Sequence, residues 1–112
     1  MPFQAVLMEL CRSVPGARGA VFVDYEGESV QRAVLDPALG AYDLDVAGAH
    51  AAPIMAASVG CRVIRLVGHE GSTFIHAVKD NYSVVLVTQP GTLLPRAMWG
   101  LRHAAHRLKD LM

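Results

Sequence analysis

The sequence predicts an α/β (α+β) sandwich of order α-β-β-α-β-β-β-α, with a five-stranded, mostly antiparallel sheet carrying helices on both faces. Three observations predict it. The chain has 112 residues, the size of one domain around one core, here residues 1–112. Two short runs, Ala20-Val21-Phe22-Val23 and Val84-Val85-Leu86-Val87, are apolar at every position, as strands covered on both faces are. Tight turn signals at Glu26-Gly27, Glu70-Gly71 and Asp80-Asn81 separate neighbouring strand patterns, and such turns join antiparallel strands.

The first helix is read from Phe3, Val6, Leu7, Leu10 and Cys11, which recur at helical spacing. It must stop before Pro15-Gly16, because proline disfavours α geometry in the residue ahead of it. The strand Ala20–Val23 follows, then a turn at Tyr25-Glu26-Gly27-Glu28, then a weaker strand over Ser29–Val34 expected near a sheet edge. After a loop from Asp36-Pro37 to Gly40, Asp43 is expected to cap a helix running to about Val59. Its inner stripe reads Leu44, Ala47, Ala51, Ile54, Met55 and Val59, and its other side Gly48, Ala49, Ala52, Ala56 and Ala57. Pro53 lies inside this helix and is expected to kink it or remove a backbone bond. Gly60 ends it. Three strands follow at Arg62–Gly68, Ser72–Lys79 and Tyr82–Thr88, the last of them central. Beyond Pro90-Gly91, Thr92 is expected to cap a final helix with Pro95 in its first turn. Leu94, Met98, Leu101, Ala105, Leu108 and Met112 form its buried stripe.

Hydrophobic residues make up 53% of the chain and charged residues 18%, against roughly 45–50% and about 25% in average globular chains. Such a balance implies apolar surface hidden against a partner chain. Ten basic and ten acidic residues cancel, so the positive field that selects phosphate backbones is missing and a nucleic-acid partner is not expected. Cys11 and Cys61 form no CxxC pair and read as reduced thiols. With no basic leader at Met1-Pro2-Phe3-Gln4, the expected location is cytoplasmic. The longest uncharged run, Val46 to Cys61, falls short of the ~20 apolar residues of a membrane span, so no membrane insertion is expected.

Catalytic chemistry finds little support. Ser72 and Thr73 follow Gly71 outside any G-x-S-x-G elbow. Cys11 sits on an apolar helix face and Cys61 after a helix C-terminus, neither of which activates a thiol. His103 and His106 stand three apart on the last helix, but two imidazoles do not complete a zinc site, and His50, His69 and His76 add no matching spacing. The glycines are scattered among turns and form neither GxxxxGK[ST] nor GxGxxG. Glu26 with Glu28, and Asp43 with Asp45, are ordinary turn and helix-start carboxylates. The expectation is a non-enzyme with no cofactor.

Two features point to binding. The second helix has no charged residue within the run Val46 to Cys61, whereas a helix resting on a sheet needs one apolar stripe only. An apolar second face rich in alanine suits close approach of another helix, and so a dimer contact. On the last helix, Arg96, His103, Arg107 and Asp110 share an outer side flanked by Arg102 and Lys109. Arg96, Arg102, His103 and Arg107 are the candidate surface for an acidic partner, against the plainer reading of a solvated face.

Several segments together resemble the Roadblock, or dynein light-chain Roadblock, family, in its bacterial MglB-like type. They are Val14-Pro15-Gly16-Ala17-Arg18-Gly19-Ala20-Val21, Asp24-Tyr25-Glu26-Gly27, Lys79-Asp80-Asn81-Tyr82 ahead of Val84–Val87, and Pro90-Gly91 with Leu93 and Leu94 before the last helix. The resemblance spans nearly the whole chain. It implies the second helix on one sheet face, the first and third on the other, and a homodimer joined through the second helix and third strand. Carried onto this sequence, that interface comprises Ala47, His50, Ala51, Ile54, Met55 and Ser58, with Arg62, Ile64 and Leu66. It further implies regulation or scaffolding of a small Ras-like GTPase, possibly as an activating partner, in a polarity or motility system. Two alternatives stand beside it: an adaptor hub for other Roadblock or response-regulator proteins, and a small-molecule sensor domain. Pro53 departs from the family's dimer helix.

Overall fold

A computed structural model of the chain describes residues 2–112. Its elements are α1 (Pro2–Ser13), β1 (Ala17–Val23), β2 (Ser29–Val34), α2 (Ala41–Ala57), β3 (Val63–Gly68), β4 (Gly71–Ala77), β5 (Ser83–Thr88) and α3 (Leu94–Leu111). The strands form one sheet in the order β2-β1-β5-β4-β3, and all four pairings are antiparallel. The doubly apolar β5 is therefore central, and β2 and β3 are the edges.

Register sorts the side chains by face. Val21, Val85 and Ile75 align across β1, β5 and β4 and meet Leu44 and Ala51 of α2. One residue along, Phe22, Val84, Leu86 and Phe74 turn the other way and pack with Val6, Leu7 and Leu10 of α1 and Leu101 and Leu108 of α3. Two cores thus sandwich the sheet, the larger under α1 and α3. Gly100 lets the two helices close: a Cβ there would sit 2.9 Å from Val14 Cγ2.

Element ends follow local chemistry. The turn between β4 and β5 is closed by the Tyr82 N–H donating to the Lys79 carbonyl, with Asp80 and Asn81 both at positive φ, 53° and 65°. Asn and Asp tolerate that region better than other side chains do. At the start of α2, Gly40 is the cap, and its N–H donates to Asp43 Oδ2 at 2.9 Å. Asp43 is thus the third helical residue, not the cap that the sequence suggested; its carboxylate reaches back one turn. Thr92 does not cap α3 either. Its hydroxyl donates to the Gln89 carbonyl at 2.8 Å, and Leu93 holds the cap position. Leu94 and Met112, expected in the buried stripe of α3, lie at its ends and are exposed, while Ala97, Gly100 and Ala104 are buried instead. Asp45 ties β2 to α2, accepting from Ser29 Oγ at 2.5 Å and Arg32 Nε at 2.8 Å, and these bonds hold its carboxyl below the usual range.

Candidate functional site

Part of the exposed apolar surface lies on one flank, at Tyr42, Val46, Leu66 and Val67. Helix α2 buries Leu44, Gly48 and Ala51 against the sheet. Gly48 belongs to this inner side because β1 runs so close: a Cβ would stand 2.5 Å from Val23 Cγ1. The outer side carries Tyr42, Val46, Ala49, Pro53, Ala56 and Ala57, all exposed and none charged, with His50 beside them. The helix is continuous from Ala41 to Ala57, through Pro53. Val59 lies beyond the helix end and is 92% exposed, not part of the inner stripe.

Strand β3 adjoins this face as an open edge. Arg62 accepts from the Ala77 N–H through its carbonyl, and Val63 pairs with His76. The antiparallel alternation therefore turns the backbone groups of Ile64 and Leu66 toward β4 and those of Val63, Arg65 and Val67 outward. An outward row of free donors and acceptors is a template for another strand. Ile64 aligns with Ile75, so Ile64 and Leu66 present their side chains on the α2 face. A groove of about 860 Å³ joins the two elements, with Val46 and Ala47 on one wall and Leu66, Thr73 and Val87 on the other.

The expected interface residues divide between interior and surface. His50, Arg62 and Leu66 are exposed, and Ala47, Ile54, Met55, Ser58 and Ile64 are half-buried. Ala51 is wholly buried under α2 and cannot touch a partner, which corrects its place among the contact residues. Ser58 donates its hydroxyl to the Ile54 carbonyl at 2.7 Å and closes the helix. The residues missed are Tyr42, Val46, Ala49 and Pro53, whose spacing of four, three and four marks one helix face. With Leu44 read as inward-facing, they fall on the opposite side of the helix.

The four candidate residues of α3 do not form one surface. Arg96 donates to the Ser13 carbonyl at 3.1 Å, and Arg107 pairs with Glu9, so both are held by α1. His103 stacks on the exposed Trp99 ring at 5.2 Å and 6°. Arg102 instead joins His76, His106 and Lys109 near the β3–β4 edge. Cys11 is buried, and burial pushes its thiol up to about 12. Cys61 is exposed. Among the described residues, no group of three or more His, Cys, Asp or Glu side chains could hold a metal, and no helix is long and apolar enough to cross a membrane.

No protein-family model and no curated protein matches the chain. Solved structures do. The chain is similar to the gliding protein MglB from Thermus thermophilus, with 18% identity, TM-score 0.87, and 98% of this chain and 87% of that one covered. It is similar to an MglB solved in a tetrameric arrangement, with 20% identity, TM-score 0.86 and coverage of 97% and 86%. It is also similar to a Roadblock/LC7 domain from Streptomyces avermitilis, with 14% identity, TM-score 0.82 and coverage of 96% and 95%. The fold is that of Roadblock/LC7 domains.

Proposed function

We propose that this Roadblock-fold chain is a homodimeric, non-catalytic regulator or scaffold of a small Ras-like GTPase in a bacterial polarity or motility system. The observation that carries the reading is the uncharged outer face of α2 lying beside the open edge of β3. An apolar helix face and an unpaired strand edge are each costly to leave in water. A second copy resolves both at once, because a two-fold axis beside β3 pairs strand with strand and brings α2 onto α2. The likeness to gliding protein MglB, and to an MglB in a tetrameric arrangement, supports a regulator that self-assembles.

Two measurements test the reading. Light scattering should give twice the 12.0 kDa of one chain; a monomer at micromolar concentration overturns the dimer. Pull-down of Ras-like GTPases from the same genome, loaded with GTP or GDP, should show nucleotide-dependent capture, followed by a change in GTP hydrolysis rate. Capture of another Roadblock-fold protein without nucleotide dependence would replace the GTPase reading with that of an adaptor hub.

A further inference from the structure

A second concave site lies on the opposite sheet face, between the start of β3, the end of β4 and the C-terminal half of α3. It encloses about 360 Å³, within the size range of small-molecule sites. Five basic residues line it: Arg62, His76, Arg102, His106 and Lys109. No carboxylate lines it. Among the described residues, none of these side chains takes part in an ion pair, whereas Arg18, Arg32 and Arg107 each have one. The rest of the wall is apolar, from Val63, Val78, Met98 and Ala105.

Such an arrangement is unfavourable when empty. Like charges gathered around a low-dielectric concavity repel one another, and in a chain of zero net charge nothing in the overall composition forces them together. His76 is different from its neighbours, being 8% exposed. Its Nδ1 donates to the Ala77 carbonyl at 2.7 Å. That bond fixes the ring with its proton on Nδ1, so Nε2 of the neutral ring is an acceptor and donates to an anion only in the imidazolium.

We propose that this pocket binds a small organic phosphate monoester. Three permanent cations, Arg62, Arg102 and Lys109, match a group carrying close to two negative charges, whereas a monocarboxylate would neutralise one of them. The apolar wall takes the organic body, so an ester is held better than the free ion. Four of its five basic residues lie on β4 and α3, and only Arg62 stands at the edge where the proposed dimer would form.

Calorimetric titration of the full chain at low salt, with phenyl phosphate, inorganic phosphate and benzoate as probes, tests the proposal. Phenyl phosphate should saturate one site per chain, bind about tenfold tighter than inorganic phosphate, and weaken steeply with added salt. Benzoate should bind weakest. Arg102→Gln and Lys109→Gln change exposed side chains, so the fold should survive, as unliganded melting would verify; each should weaken binding about tenfold. Absence of saturable binding to either phosphate overturns the proposal. So does unchanged affinity in both Arg102→Gln and Lys109→Gln, which would place the binding outside this pocket. Binding to phosphatidic acid vesicles without uptake of soluble phenyl phosphate overturns it in favour of a membrane surface.

Discussion

His76 is the buried titratable residue whose surroundings are most one-sided. Burial, and then the charges of Arg62, Arg102 and His106, lower its pKa below the usual 6.5, although its bond to the Ala77 carbonyl acts the other way; Lys109 lines the same pocket. The unfolded chain therefore takes up this proton at higher pH than the folded one. Above about pH 6.5 the ring is neutral in both states and costs nothing; as pH falls below that value, the unfolded state gains protons first and stability declines. Urea midpoints at about pH 7.5 and pH 5 should differ less in His76→Asn than in the parent chain. Backbone close approach makes a second prediction at this scale. Gly71 has φ +131°, and a Cβ there would stand 1.9 Å from the Thr88 carbonyl oxygen. Gly71→Ala should destabilise the chain by about 3 kcal/mol, read by denaturant unfolding, because backbone and not a movable side chain blocks the methyl.

Helix α2 is the element where sequence pattern and energetics conflict. Proline inside a helix supplies no N–H to the carbonyl four residues back, here Ala49, and crowds it. Even so, α2 runs unbroken from Ala41 to Ala57, with Pro53 on its exposed side. There, the unpaired carbonyl can be met from outside the chain. Pro53→Ala should stabilise the isolated fold by about 1–3 kcal/mol, seen as a higher urea midpoint at unchanged slope. The position of α2 was legible in its uncharged run and most of its inner stripe in its apolar spacing, but the sides of its small residues were not. Leu44, Ala51, Ile54 and Met55 of the inner stripe do face the sheet, but alanine and glycine fill both sides, and hydrophobicity alone left Gly48 on the outer one. Gly48 went to the core because β1 approaches closely there, and Ala49 went outward with Tyr42 and Val46.

For the molecule as a whole, the open edge of β3 gives the sharpest test of self-association. The Val67 N–H points away from β4, and its side chain is 72% exposed. Proline is tolerated at an edge position whose N–H faces outward. Val67→Pro should therefore leave the melting temperature of the monomer nearly unchanged while raising the dimer dissociation constant about tenfold or more, measured by light scattering across a dilution series. Ala49→Glu should do the same through the helix side of the interface, by placing a charge where α2 is proposed to meet its copy. If both variants retain full dimer mass, self-association does not use this flank.

The sequence by itself determined the element order, the central place of β5, the hairpin turns and the lack of any nucleophile or phosphate-loop signature. These follow from local periodicity and from the backbone preferences of glycine, proline, asparagine and aspartate, which act within a few residues. Tertiary structure alone decided that Gly48 of α2 faces inward, and that Arg107 is paired with Glu9 from the far end of the chain. It also decided that Arg62, His76 and Arg102, scattered along the sequence, line one pocket. Strand order and helix phase set those proximities, and both depend on contacts between residues too distant in sequence for local pattern to record.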